Sequence, residues 1–512
     1  MAELLPDHAE KPPAPPTAGS PPRSLTHRTM SGIGWTALGR VLTQVASFGL
    51  SVLLARLLTP ADFGLLGITT VFTGFAALFA EMGFSAAIVQ AREVEETHRS
   101  SVFWLNVGVG VATTLILAAS SPLVAGFFSE PRLRWLMVAL SLNFIIGSFS
   151  VVQRALLTRA MRFRALATVD TLSVVISGIG AVGLALSGWG VWSLVVQGLA
   201  RAALATLLLW LQGSWHPRLH FRWASVRELL GYSAHLLGFN TLNYWVRNVD
   251  NLLIGRFFGS AELGIYTRAY STMLLPVSQL TGVLGNVMFP ALARIQDDAP
   301  RVKRAYLQAL ALIAFVTLPA MFGLAAVAHD FVIAVYGPRW ARVAGVLQVL
   351  SIIGGLQSLQ STVGWLYRSQ GRTDILLRWG LFAGAFLVAG IAVGVGLGSI
   401  ESVAICYAVA NLLLTYVNFS VPGRYIGMRA AEVLHATWRS ILSSSAMAGL
   451  VALLAHELRS WGSPWSRLGL ETASGGLLYA ALAFGMNRAT SKTLLGLLRT
   501  RGRKPAPPVG AT

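Results

Sequence analysis

Apolar residues run through this chain in blocks of roughly 20, enough for a helix rising 1.5 Å per residue to cross a ~30 Å hydrocarbon layer. Such blocks fall at about 33–55, 63–88, 101–121, 133–153, 166–187 and 189–211, divided by short polar or Gly/Pro-containing breaks. After the basic segment SWHPRLHFRWASVRE, six more follow at about 229–255, 262–291, 305–328, 341–366, 375–398 and 400–422. A last pair sits at about 440–456 and 468–486. The pattern predicts an all-α, polytopic membrane protein of about 14 transmembrane helices: two pseudo-symmetric six-helix bundles and two C-terminal helices. The expected units are a Pro-rich head (1–30), an N-lobe (31–212), a C-lobe (226–425), the extra helix pair (438–487) and a basic tail (488–512). The head, with its KPPAPPTAGSPPR run, lacks the apolar core of a signal peptide and reads as a disordered cytoplasmic extension.

The two sets of six carry an internal repeat. LLARLLTPADFGLL (53–66) lies on the segment around LLIGRFFGSAELGI (252–265) at an offset of 200, which matches Arg56 with Arg256, Asp62 with Glu262 and Gly64 with Gly264. Six spans per half start both halves on the same side of the membrane. The repeat is therefore parallel, with a pseudo-two-fold axis along the membrane normal. Polar residues recur at the same offset. Thr36, Arg40, Thr43, Gln44, Ser47 and Ser51 fall at helical spacing in the first span, and Asn240, Asn243, Arg247, Asp250 and Asn251 do so in the seventh. Charged groups at mid-membrane cost at least about 2.5–3.5 kcal/mol on insertion scales, so these stripes are expected to face a wet cavity or each other.

Charge then fixes orientation. The 40 Lys and Arg against 21 Asp and Glu give a net +19, a value that in a soluble protein suggests nucleic-acid binding. Only 12% of residues are charged and 54% are hydrophobic, with a mean hydropathy of +0.62. Placing both termini inside puts about 28 of the basic residues on cytoplasmic segments and about eight on the opposite side. Most of the charge is thus topological, and nucleic acid is not an expected partner. Arg40, Arg201, Arg247 and Arg268 remain within spans. No outer loop exceeds about 15 residues, which argues against glycan polymerases and ligases that work through large external loops. Cys406 is the one cysteine and reads as a packing residue. No nucleotide-binding, zinc-protease or serine-hydrolase motif occurs, so no catalytic residue, metal or cofactor is expected.

The candidate cavity residues are accordingly Arg40, Gln44, Asn240, Asn243, Arg247, Asp250 and Arg268. Arg247 and Asp250 stand i,i+3 and form an intrahelical ion pair in one reading, which is compatible with lining a cavity. Arg40 has no acidic neighbour within a turn, so it either faces a cavity or snorkels to the interface. Arg268, near the outer end of its span, has the same two readings. Asp170 and Arg201, in consecutive spans, are a possible coupling or structural pair. Gln348, Gln357 and Gln360 are expected to hydrogen-bond between helices. Arginines in a cavity suit phosphate or diphosphate through bidentate, charge-assisted bonds.

Four segments carry a family resemblance: 51–90 (SVLLARLLTPADFGLLGITTVFTGFAALFAEMGFSAAIVQ), 247–276 (RNVDNLLIGRFFGSAELGIYTRAYSTMLLP), 154–170 (RALLTRAMRFRALATVD) and 369–379 (SQGRTDILLRW). Over about residues 30–425 the chain resembles the Wzx-type polysaccharide flippases of the multidrug/oligosaccharidyl-lipid/polysaccharide exporter superfamily. The resemblance implies two bundles in a V, a central cationic cavity and alternating access in the bacterial cytoplasmic (inner) membrane. Its implied cargo is an undecaprenyl-diphosphate-linked oligosaccharide for capsule, exopolysaccharide or O-antigen assembly. Membrane lipid and the polysaccharide polymerase and export machinery are the implied partners. The family's cavity charges match Arg40, Asn240, Asn243, Arg247 and Asp250 here, with Asn240 opposite Arg40 making the cavity asymmetric. The alternatives are a cation-coupled multidrug exporter of the same superfamily, which should line its cavity with carboxylates, and a membrane glycan polymerase or ligase.

Overall fold

A computed structural model describes residues 25–80, 96–213, 215–219, 241 and 243–487. The head before residue 25, Asn240 and the tail beyond 487 lie outside the described residues. The helices are α1 (Leu25–Leu57), α2 (Pro60–Ala80), α3 (Glu96–Phe128), α4 (Arg132–Ser148), α5 (Val151–Arg159), α6 (Phe163–Leu186) and α7 (Val191–Gln212). They continue with α8 (243–257), α9 (Gly259–Arg294), α10 (Ala299–Ala326), α11 (Ala328–Val335), α12 (Val343–Gln360) and α13 (Val363–Ser369). The series ends with α14 (Thr373–Gly396), α15 (Ile400–Gly423), α16 (Ala430–Glu457) and α17 (Pro464–Met486).

Ten of the described helices or joined helices are long and apolar enough to cross a membrane, and α4 with α5, bent by 42°, makes an eleventh. Side chains such as Leu115, Leu123, Leu453 and Leu477 stand exposed on the outside, which suits hydrocarbon as solvent. Helix starts are set locally. Asp298 accepts the Arg301 N–H at the head of α10, and Ser399 and Ser463 do the same for α15 and α17. Gly188 (φ +81) and Gly398 (φ +85) permit the tight turns that fold α6 onto α7 and α14 onto α15.

Two bundles result. In the first, α1 lies on α6, α6 on α7, α7 on α4, and α4 on α3 and α2. In the second, α12 is the hub, packed against α9, α10 and α15, with α14 on α15. The C-terminal pair attaches to the second bundle, α16 along α10 and α17 along α16 and α11. The bundles meet where α2 crosses α9, and one buried apolar cluster runs through that crossing, from Leu65, Ile68 and Met137 to Leu263, Tyr266, Met273 and Trp340.

Candidate functional site

The crossing of α2 and α9 is built from the repeat. A Cβ placed on Gly64 would overlap the Ser260 carbonyl, and one placed on Gly264 would overlap the Pro60 carbonyl. Position 64 therefore touches 260 while 264 touches 60, the reciprocal contact that a two-fold axis generates. The offset of 200 seen in sequence is a symmetry operation in space. Only glycine allows two helix starts to approach so closely.

Arginines from each half reach over this crossing to the opposite bundle. Arg56, at the end of α1, donates through Nε to the Val335 carbonyl (2.9 Å) and through Nη2 to the Ala334 carbonyl, at the C-terminal end of α11. A cation is well placed there, against unsatisfied carbonyls and the negative end of the helix dipole. Its repeat mate Arg256 lies over the Phe127 ring at 5.5 Å. Trp340, fully buried, donates its indole N–H to the Ala55 carbonyl (2.7 Å) and meets Phe63 edge-on. Ser260 donates to Glu130 (3.1 Å), and Arg342 binds Glu262, with Glu401 at 3.5 Å. The Glu262 bond holds the Arg342 guanidinium proton above its ordinary range. This end of the molecule is latched shut.

Arg268 belongs to the latch. It is only 8% exposed, donates through Nη1 to Ser51 on α1 (2.7 Å), and sits 4.2 Å from the Phe63 ring, 5.1 Å from Tyr336 and 5.4 Å from Trp340. Expected as a cavity or snorkelling residue, it is instead a cation in an aromatic cage that ties α9 to α1. Tyr336 is itself bonded to Thr272 (2.8 Å).

The other expected site residues divide among three environments. Arg40 on α1, with Asn243 and Arg247 on α8, is exposed, so the first helix of each bundle presents an accessible guanidinium. Gln44 is half-buried on α1. Asp250 is buried and accepts from the Tyr266 hydroxyl (3.1 Å) and the Asn251 N–H (2.8 Å). The Arg247–Asp250 pair does not form, because Tyr266 reaches the carboxylate from α9. Tyr270 and Tyr407 complete that polar nest, and Gln357 donates to Tyr407 (2.6 Å). Gln360 bonds Thr415 (2.7 Å) on α15, so Gln357 and Gln360 bridge helices as expected, whereas Gln348 is exposed.

The Asp170–Arg201 pair is also not formed. Asp170 binds Arg154 in bidentate fashion (2.6 and 3.2 Å), because the short turn between α5 and α6 sets these two side by side. Arg201 is left to line a cavity of about 660 Å³ inside the first bundle, with Ser47, Ser51, Asn143, Ser177 and Gln197 among its walls. The polar stripe of α1 is thereby split: Thr43 bonds Thr171 on α6 (3.0 Å), Ser47 and Ser51 face this cavity, and Arg40 stays exposed.

At the end away from the latch, a second cavity of about 530 Å³ lies between α9 and α12–α13, lined by Gly282, Gly285, Phe289, Ser361, Trp365 and Arg368 among others. Arg368 falls just past the apolar block at 341–366, and neither it nor Trp340, Tyr336 or Asp330 is among the residues expected at the site. For Tyr336 and Trp340 the signal was the GPRW turn, where Gly337 takes φ +97.

Residues 53–345 match the family model described as "Polysaccharide biosynthesis protein". The chain is 28% identical over 401 residues to the lipopolysaccharide biosynthesis protein WzxC of Escherichia coli (strain K12), covering 78% of this chain and 81% of that one. It is 28% identical over 483 residues to the teichuronic acid biosynthesis protein TuaB of Bacillus subtilis (strain 168), covering 92% and 98%. Among solved structures it resembles the lipid II flippase MurJ in an inward closed conformation, with TM-score 0.69, 13% identity, and 88% and 98% of the two chains covered.

Proposed function

The chain belongs to the polysaccharide biosynthesis protein family, the Wzx-type flippases of the multidrug/oligosaccharidyl-lipid/polysaccharide exporter superfamily, and from that premise we propose how it moves its cargo. The cargo is an oligosaccharide linked through diphosphate to a polyprenyl lipid, and the step is transfer from the inner to the outer leaflet of the bacterial cytoplasmic membrane. The chain acts as a transporter and not as an enzyme. Both termini lie inside, so the latched end is extracytoplasmic and the opposite end receives substrate from the cytoplasm.

One observation carries this reading: the bundles are closed onto each other at one end while Arg40 and Arg247 stand exposed on their first helices. A diphosphate drawn between the bundles meets guanidinium from both sides, with Asn243 beside it for sugar hydroxyls. Arg368, on the cavity at the cytoplasmic end, is placed to meet the phosphates first. Closing the cytoplasmic end and breaking the latch would then deliver the head group outward, its lipid chain staying in the bilayer throughout. The multidrug-exporter alternative needs free carboxylates facing the cargo, whereas Asp170 is tied to Arg154 and Asp250 is buried against Tyr266.

Polysaccharide export in cells lacking their own flippase tests this. Arg40→Ala and Arg247→Ala should abolish export with normal membrane levels, and full activity in both would remove the proposed site. Flipping of a fluorescent polyprenyl-diphosphate glycolipid by purified protein in vesicles checks the same variants without polymerase or export machinery.

A further inference from the structure

Beside the latch, and unused by the mechanism above, lies a buried cluster of three charged side chains. Asp330 stands in the first turn of α11, the helix whose last carbonyls accept Arg56. It is 4% exposed and is held by Arg467 of α17 at 3.0 Å from Nε and 2.9 Å from Nη2. Arg467 also donates to the Arg459 carbonyl (3.0 Å). Glu471, one turn further along α17, is fully buried, and neither of its oxygens receives a hydrogen bond. The charged groups that face it are Asp330 and Arg467. Among the described residues of α10 and α16, the other helices packed against α17, no ionisable side chain is aimed at it, and His329 on α11 is exposed.

Two carboxyls and one guanidinium balance only if one carboxyl keeps a proton. Arg467 is committed to Asp330, so the second carboxyl has no cation of its own. An ionised, unpaired carboxylate so placed bears a desolvation cost that no partner offsets. We propose that Glu471, with Asp330 and Arg467, forms a proton-binding site whose occupancy holds α17 against α11 and so keeps the extracytoplasmic latch closed. The proton sits on a Glu471 oxygen, facing the Asp330 carboxylate, and leaves the cluster neutral. Loss of that proton puts a net negative charge between α11 and α17. The two helices are driven apart, and α11 carries with it the Ala334 and Val335 carbonyls, Tyr336 and Trp340, which together grip Arg56, Ala55 and Arg268. The C-terminal helix pair thereby becomes a proton-sensitive brace behind the latch. The assignment of sides rests on the transport reading, whereas the site and its effect on the latch do not.

The sign is fixed: the latched state holds the proton, so it is favoured at low pH and lost as pH rises. Spin labels on Arg132→Cys and Ala341→Cys, in a Cys406→Ser background, report the separation of the bundles at the latched end in lipid nanodiscs without substrate. The short-distance population should fall as pH is raised from 5 to 9. Glu471→Gln keeps shape and charge balance and should stay short throughout. Asp330→Asn frees Arg467 to pair with ionised Glu471, so the midpoint should move down by about one pH unit, a tenfold weaker hold on the proton. A pH-independent distance in the unmodified chain, or an unchanged response in Glu471→Gln, would overturn the proposal. Either result would leave glycolipid flipping intact, whereas loss of flipping with a normal pH response would count against the transport reading alone.

Discussion

Alanine in place of Gly64 tests the alternating-access reading most directly. A Cβ at this position would lie 1.6 Å from the Ser260 carbonyl oxygen, and its mate on Gly264 would lie 1.8 Å from that of Pro60. A carbon approaches a carbonyl oxygen to about 3.3 Å at the nearest, so each substitution needs the helix starts to part by about 1.5 Å. The obstacle is backbone at the head of a buried helix, and no side chain can turn aside. About 3 kcal/mol against the latched state is a fair figure, the upper end of the usual cost of overpacking, or roughly 150-fold in the conformational equilibrium. A state in which the hairpins have separated bears none of this cost. Spin-label distances across the latched end should therefore lengthen for Gly64→Ala and Gly264→Ala, the two changes acting alike because the axis relates them. Gly49→Ala is the control, since nothing lies within 4 Å of its added Cβ. A short, unshifted distance together with normal glycolipid flipping in Gly64→Ala would refute the argument that this crossing is the gate.

Other outcomes follow from the same contacts. Arg268→Lys should weaken the latch, because a lysine keeps the charge but loses the planar guanidinium against Phe63, Tyr336 and Trp340, and thermal unfolding in detergent should drop measurably. Trp340→Ala should cost about 3–5 kcal/mol of stability, read by denaturation of purified protein. Arg154→Ala should matter little for stability, at most ~1 kcal/mol, because both partners of the Arg154–Asp170 pair are 39% exposed. Arg368→Ala should slow flipping at low glycolipid concentration and spare the rate at saturation, the signature of a first encounter with phosphate; an equal loss at all concentrations would argue against that role.

The sequence alone determined the class of the protein, since blocks of 20 apolar residues and a 12% charged fraction have no stable solution in water. It also determined the repeat, because Arg, Asp/Glu and Gly recur at a spacing that apolar composition does not enforce, and this repeat became a two-fold crossing in space. Helical periodicity could say which residues share a face, but not what that face meets. The α1 stripe was therefore legible as a stripe and misread as a single surface, its serines turning into the first bundle while Arg40 stays exposed. Partner choice was beyond periodicity as well. Asp170 takes Arg154 and not Arg201, and Asp250 takes Tyr266 and not Arg247, because a buried carboxylate bonds to whatever donor the neighbouring helix brings within 3 Å. Arg268, Trp340 and the Asp330–Arg467–Glu471 cluster acquire meaning only through contacts 65 or more residues apart in the chain. Local propensity dictates elements and their order, and only the packing of helices against helices decides which polar groups are buried together and so which of them can work.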